Sequence, residues 1–140
     1  MIKKVMILSG GFDPLHSGHI DLFENAKKVS DYVIVCLNSD DWLRKKKGIN
    51  FLDFDERKRI LLSNKFVDDV ISFEDDEFGS AVNGLEKVLS LKDTYRNILS
   101  DKTYNSEGDI VCNELCDVSF YFVNGGDRNS ISTPTKEQQF

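Results

Sequence analysis

Val5-Met6-Ile7-Leu8 is a continuous apolar run that closes on Gly10-Gly11. A short apolar run without alternation is the pattern of a parallel strand covered on both faces. Beyond the glycines, Ile20, Leu22, Phe23, Ala26 and Val29 recur at helical spacing and predict a helix from about Ser17 to Lys28. Tyr32-Val33-Ile34-Val35-Cys36-Leu37 predicts a second buried strand. Such a strand–helix–strand unit requires a right-handed crossover and a parallel sheet. Asn38-Ser39-Asp40-Asp41 reads as a polar loop at the carboxyl end of that strand, and the basic stretch Arg44-Lys45-Lys46-Lys47-Gly48 follows. Asp53, with Glu56 three positions on, has the spacing of a capping box and opens a helix over about Phe54 to Asn64.

Val67 to Phe73 predicts a third strand, and Glu74-Asp75-Asp76-Glu77 a solvated acidic loop. Ala81, Leu85, Val88 and Leu89 make another helix. From Thr94 to Asp117 the pattern is weak, with a short helix expected over Ile110 to Leu115. Ser119-Phe120-Tyr121-Phe122-Val123 is a strong strand that ends at Asn124-Gly125-Gly126-Asp127-Arg128. Strands alternating with helices predict one α/β Rossmann-like domain over residues 1–140. Its sheet is open and mostly parallel, with helices on both faces.

Composition narrows the function. A chain of 140 residues can bury roughly 70% of its unfolded surface, so no disulfide or structural metal is needed. The net charge of −6 argues against a nucleic-acid partner but leaves room for a local basic pocket. No apolar run approaches the roughly 20 residues of a membrane span. Three cysteines, an odd number, and an opening stretch too short for a signal peptide point to a reducing, cytoplasmic setting. Cys112 and Cys116 are spaced to share a helix face. With no second cysteine pair and no histidine beyond His19, zinc is not expected there.

In such a sheet, ligands bind beyond the carboxyl ends of the strands, where strand order reverses. Three polar clusters fall at strand ends: Gly10 to His19, Asn38 to Asp40, and Asn124 to Arg128. Both histidines of the chain, His16 and His19, lie in the first, three positions apart on the opening helical turn. Gly18 between them leaves room for a ligand to approach the backbone. The helix start itself favours an anion. Two imidazoles, a glycine loop and a helix start make a phosphate cradle. Structural histidines or a zinc pair are the alternatives. The zinc reading lacks the His-Glu-x-x-His form, and a Gly-x-Gly-x-x-Gly dinucleotide fingerprint is absent.

His16-Ser17-Gly18-His19, preceded by Gly11-Phe12-Asp13, resembles the signature of the cytidylyltransferase-like nucleotidyltransferases. Glycerol-3-phosphate cytidylyltransferases and heptose-phosphate adenylyltransferases belong to that superfamily. Asn38-Ser39-Asp40, Lys47-Gly48 and Asp55-Glu56-Arg57 follow in the order of the family's later elements. Lys65-Phe66-Val67-Asp68-Asp69-Val70-Ile71 resembles a segment many members use to form homodimers, with Lys65 in place of the usual arginine. The resemblance covers about residues 4 to 73 and then 119 to 128.

The resemblance implies a reaction. A phosphate oxygen of a small phosphorylated alcohol or sugar attacks the α-phosphorus of a nucleoside triphosphate, CTP before ATP, and pyrophosphate leaves. His16 and His19 would contact the triphosphate and the reacting phosphorus. Lys47 would grip phosphates, with Lys46 as a helper. Gly10, Gly11, Phe12, Asp13 and Gly18 would form the nucleotide loop, although Asp13 also reads as a turn residue before Pro14. Gly125, Gly126 and Asp127 would hold base and ribose, and Arg128 would reach the triphosphate or the acceptor. Mg²⁺ is expected as the nucleotide's counter-ion, with no protein cage. Arg57 opens a predicted helix, where a cation opposes the macrodipole; a phosphate partner would resolve that.

The family closes on a hydroxyl-rich motif. Ser130-Ile131-Ser132-Thr133-Pro134 is similar but follows Asp127 almost at once. Either the motif has moved forward, or the chain to Phe140 lacks that C-terminal element; the second is the expectation. An ATP-using adenylyltransferase of the same mechanism and a catalytically silent nucleotide-binding module both stay open. A universal-stress-type ATP-binding protein would not need His16 and His19.

Overall fold

A computed structural model of the chain describes residues 2–104, 106–108, 110–114 and 116–124. The elements run β1 (Ile2–Gly10), α1 (Ser17–Lys28), β2 (Tyr32–Leu37), α2 (Asp40–Lys47), α3 (Phe54–Leu62) and β3 (Asp69–Ser72). They continue with α4 (Val82–Ser90), α5 (Lys92–Leu99), β4 (Asp101–Tyr104), β5 (Ile110–Glu114) and β6 (Asp117–Asn124). The main sheet has four strands in the order β3-β2-β1-β6. All three pairings are parallel, with Val5 opposite Tyr32 and Phe120, and Ile34 opposite Asp69. The sheet grows from β1 toward β3, then the chain returns to the other side of β1. The switch point therefore lies between β1 and β6, where Ser9 pairs with Asn124.

The period-2 geometry of the strands divides the core into two layers. Met6 and Leu8 of β1 and Val33, Val35 and Leu37 of β2 pack with Phe23 and Ala26 of α1 and Leu61 of α3. Val5, Ile7, Ile34 and Cys36 face the other way, onto Leu85 and Val88 of α4 and Tyr95 of α5. Each fully buried Val, Leu or Ile contributes roughly 1.5–3 kcal/mol of transfer free energy. Both faces of β1 and β2 thus hold their layers in place, and the expected α/β Rossmann-like arrangement follows.

Three local expectations are corrected. Asp40 and Asp41 begin a helix instead of completing a loop, and the basic stretch is the rest of that helix. Ser39 Oγ accepts from Trp42 N at 3.0 Å as the cap, and Gly48, at φ 81°, ends the helix in the left-handed region. Ile110 to Leu115 holds no helix: Ile110–Glu114 pairs antiparallel with Asp101–Tyr104. Cys112 and Cys116 therefore share no helix face. The weak stretch after Thr94 lies partly in α5, which buries Tyr95. Asp75 and Asp76 are tied down within the acidic loop. Ser39 Oγ donates to Asp75 at 2.6 Å, and Asp76 accepts from Phe78 N at 3.0 Å and Ser80 N at 2.8 Å. No helix among the described residues is long and apolar enough to cross a membrane.

Candidate active site

β1 delivers the chain to its carboxyl end at Gly10, whose carbonyl accepts from Asn38 N at 3.0 Å. A Cβ on Gly11 would stand 2.6 Å from Leu43 of α2, and one on Gly10 3.0 Å from the Phe12 ring. The two glycines let α2 and Phe12 close down on the strand end. Phe12 has φ 48°, a left-handed conformation that costs of order 1–3 kcal/mol in a non-glycine residue. Its ring is buried edge-on to His19 at 4.9 Å and to Phe23 at 5.3 Å. The Phe12 side chain therefore lies in the core.

Asp13 is 3% exposed. Its carboxylate accepts from Phe51 N at 2.6 Å and Leu52 N at 2.8 Å. It ties the loop after β1 to the segment leading into α3. Lys47, at the end of α2, donates from Nζ to the Asp13 carbonyl at 3.0 Å. That contact sets the ammonium beside the histidine loop, 34 residues away in sequence. Lys46 lies instead over the Trp42 ring, 4.7 Å from its centroid.

His16 is the N-cap of α1. Its Nδ1 accepts from Gly18 N at 3.1 Å, and His19 Nδ1 accepts from His16 N at 3.2 Å. This is a capping box built from two imidazoles where serine and glutamate usually stand. The rings stack with centroids 3.7 Å apart and 24° between planes. Because each Nδ1 accepts, each neutral ring carries its proton on Nε2. α1 has no acidic residue in its first turn to offset the positive end of its dipole. Gly18 stands against the His16 ring. A Cβ there would lie 3.0 Å from His16 Cε1 and 3.1 Å from Nδ1, so the glycine makes room for the imidazole.

Arg57 also departs from expectation. Its side chain is fully buried, with Nη2 on Asp40 Oδ1 at 2.7 Å. Nη1 donates to the Gly11 carbonyl at 2.9 Å and the Asn38 carbonyl at 2.8 Å, and Nε to the Leu52 carbonyl at 3.1 Å. The carboxylate and three carbonyls answer the cation, where a phosphate was expected. Asn50 joins the network by donating to Asp40 and to the Leu52 carbonyl, both at 3.4 Å. Sequence reasoning missed Asn50, which also accepts from Arg44 at 3.4 Å, and Leu43, which packs under Gly11 from a helix with no apolar period. Gly125, Gly126, Asp127, Arg128 and the Ser130–Thr133 stretch lie outside the described residues. β6 nevertheless brings the chain to Asn124, beside the end of β1.

The family model described as cytidylyltransferase-like matches residues 7–135. The chain belongs to the cytidylyltransferase-like family. The glycerol-3-phosphate cytidylyltransferase of Bacillus subtilis is 41% identical over 70 residues, 50% of this chain and 54% of that protein. The bifunctional protein HldE of Pasteurella multocida is 38% identical over 78 residues, 53% of this chain and 16% of that protein. This cytidylyltransferase-like chain thus spans about half the length of the former and a small part of the latter. A crystal structure of a lipopolysaccharide core biosynthesis protein from Thermoplasma volcanium superposes with TM-score 0.52 at 27% identity. It covers 64% of this chain and 69% of its own.

Proposed function

We propose that the chain is a nucleotidyltransferase. It passes a nucleoside monophosphate from a nucleoside triphosphate, CTP first, to a small phosphorylated alcohol or sugar. The observation that carries this is the imidazole pair capping α1, with each Nδ1 accepting from a backbone amide at the helix start. One acceptor phosphate oxygen forms a bond to the α-phosphorus, and the bond to the β-phosphate bridging oxygen breaks. Pyrophosphate departs with that electron pair. A phosphomonoester has its second pKa near 6, so the nucleophile is already dianionic at neutral pH and no strong base is required. Catalysis then rests on positioning and on stabilising the charge that develops. His16 and His19 donate to phosphate oxygens at the α1 start, and Lys47 supplies a cation from α2.

Asp13, with both carboxylate oxygens on backbone amides, is not a metal ligand in this scheme. Mg²⁺ arrives with the nucleotide, held by phosphates and water. By family resemblance, Gly125, Gly126 and Asp127 hold base and ribose, and Arg128 reaches the triphosphate or acceptor. The segment Lys65 to Ile71 supports a homodimer. Asp68 and Val70 in it serve the fold, Asp68 accepting from Lys27 Nζ at 2.7 Å, which leaves the exposed Lys65 for contact.

The test is pyrophosphate release with Mg²⁺, each nucleoside triphosphate, and a panel of phosphomonoesters beginning with glycerol 3-phosphate. Release is expected with CTP, and His16→Ala should lower it about a hundredfold or more, the usual effect of losing one preorganised donor. Nucleotide binding without release for any pair would leave a binding module. Release with ATP alone would make the chain an adenylyltransferase.

A further inference from the structure

The geometry points to Arg57 as the positioning residue of the reaction centre. Its buried guanidinium sets the histidine loop and α2 in register without touching substrate. The kinetic part of this inference rests on the nucleotidyl-transfer reading; the spectroscopic part rests on the imidazoles alone. Arg57 enters from the first turn of α3, 1% exposed, with its guanidinium 5.7 Å from the Phe54 ring. Four segments meet on that one planar group. Gly11 contributes the carbonyl just before the strained Phe12. Asn38 contributes the carbonyl beyond the end of β2, and Asp40 the first carboxylate of α2. Leu52 contributes its carbonyl at 3.1 Å while its own amide holds Asp13.

The chain leading into His16 is thereby pinned on both sides of Phe12: by Arg57 at Gly11 and by Asp13 at Phe51 and Leu52. The Asp40 contact fixes the amino end of α2, and Lys47 at its other end reaches back to the Asp13 carbonyl. Both reactive elements, the imidazole pair and Lys47, take their placement from one side chain. A lysine ammonium carries the charge but lacks the planar fork, so it cannot meet four acceptors in these directions.

The experiment uses the full chain, wild type, Arg57→Lys and Asp40→Asn, followed by thermal unfolding, CTP calorimetry, steady-state kinetics and ¹⁵N spectra of the imidazoles. The chain has two histidines, so every imidazole signal reports this loop. With the rings neutral, wild type should show protonated Nε2 and accepting Nδ1 for both. Arg57→Lys should stay folded but move those signals toward a tautomer average. Its kcat should fall about a hundredfold, as expected for a displaced reactive group, while CTP affinity holds. Asp40→Asn should shift the same signals less. A rise in nucleotide KM with kcat kept would make Arg57 a ligand contact and overturn the inference. A lower melting temperature with unchanged imidazole signals and kcat would make it merely structural. If Arg57→Lys fails to fold, unchanged imidazole signals in Asp40→Asn overturn it instead. If wild type releases no pyrophosphate, the transfer reading falls, and the imidazole comparison still decides the role of Arg57.

Discussion

His16 and His19 each hold the start of α1 through Nδ1, and in the proposed reaction each would turn Nε2 to phosphate. The arrangement needs position 18, between them, to have no side chain. Alanine normally improves on glycine in a helix by up to about 1 kcal/mol. At Gly18 its Cβ would press the His16 ring from 3.0 Å, displacing it by a few tenths of an ångström. The two effects act on different observables. Gly18→Ala should leave the melting temperature within a few degrees of wild type and lower kcat about tenfold, since small misplacements at a reacting centre are costly. Full activity in that variant would show that Gly18 does not serve the imidazole. The histidine pair at the helix start was legible because its residues are close in sequence. The Arg57 clamp was not, because three of its acceptors are backbone carbonyls, which every residue has.

At the scale of elements, legibility followed the length of the apolar pattern. α1 spans 12 residues and declares itself through recurring apolar positions. α2 spans eight and buries only Leu43, so no period can emerge. Its existence rests on caps: Ser39 at the start, Gly48 at the end. The β4–β5 pair has no continuous apolar run to separate it from a short helix. An eight-residue helix is marginal alone. Ser39 supports it twice, accepting from Trp42 N and donating to Asp75 at 2.6 Å. Ser39→Ala should cost about 1 kcal/mol in a urea titration, the typical loss for an N-cap. Amide exchange in Asp40–Lys47 should quicken more than in β1 or β2. Because Lys47 rides on this helix, kcat should drop with it. Equal exchange rates in α2 before and after substitution would show that packing of Leu43, not the cap, maintains the helix.

For the molecule as a whole, β1 and β2 donate alternate residues to both core layers, so neither layer can melt alone. The layer away from the candidate site contains groups that resist ionisation. Burial pushes the Cys36 thiol from its ordinary 9.0 up to about 12, partly countered by Lys87 and aided by Asp69. Burial, then the Asp69 charge and its hydrogen bond, raises Tyr95 above its ordinary 10.0. Tyr32 is raised by burial first, then by Asp69 and Asp68. In each case the fold binds the proton more tightly than the unfolded chain. Their stabilisation is therefore complete below pH 9.0 and declines as pH rises, first through Cys36 and, above 10.0, through the tyrosines as well. Each group lowers stability by about 1.4 kcal/mol per pH unit between its unfolded and folded pKa. Urea midpoints should fall progressively above pH 9.0, and Cys36→Ala should remove the earliest part of that slope. The single tryptophan, Trp42, lies on α2 against Gly11 of the candidate site, with Nε1 donating to the Gly79 carbonyl at 2.9 Å. If the sheet couples the layers, Trp42 fluorescence and far-ultraviolet circular dichroism must trace the same alkaline transition. Separate midpoints would mean that the candidate site survives loss of the layer beneath α4 and α5.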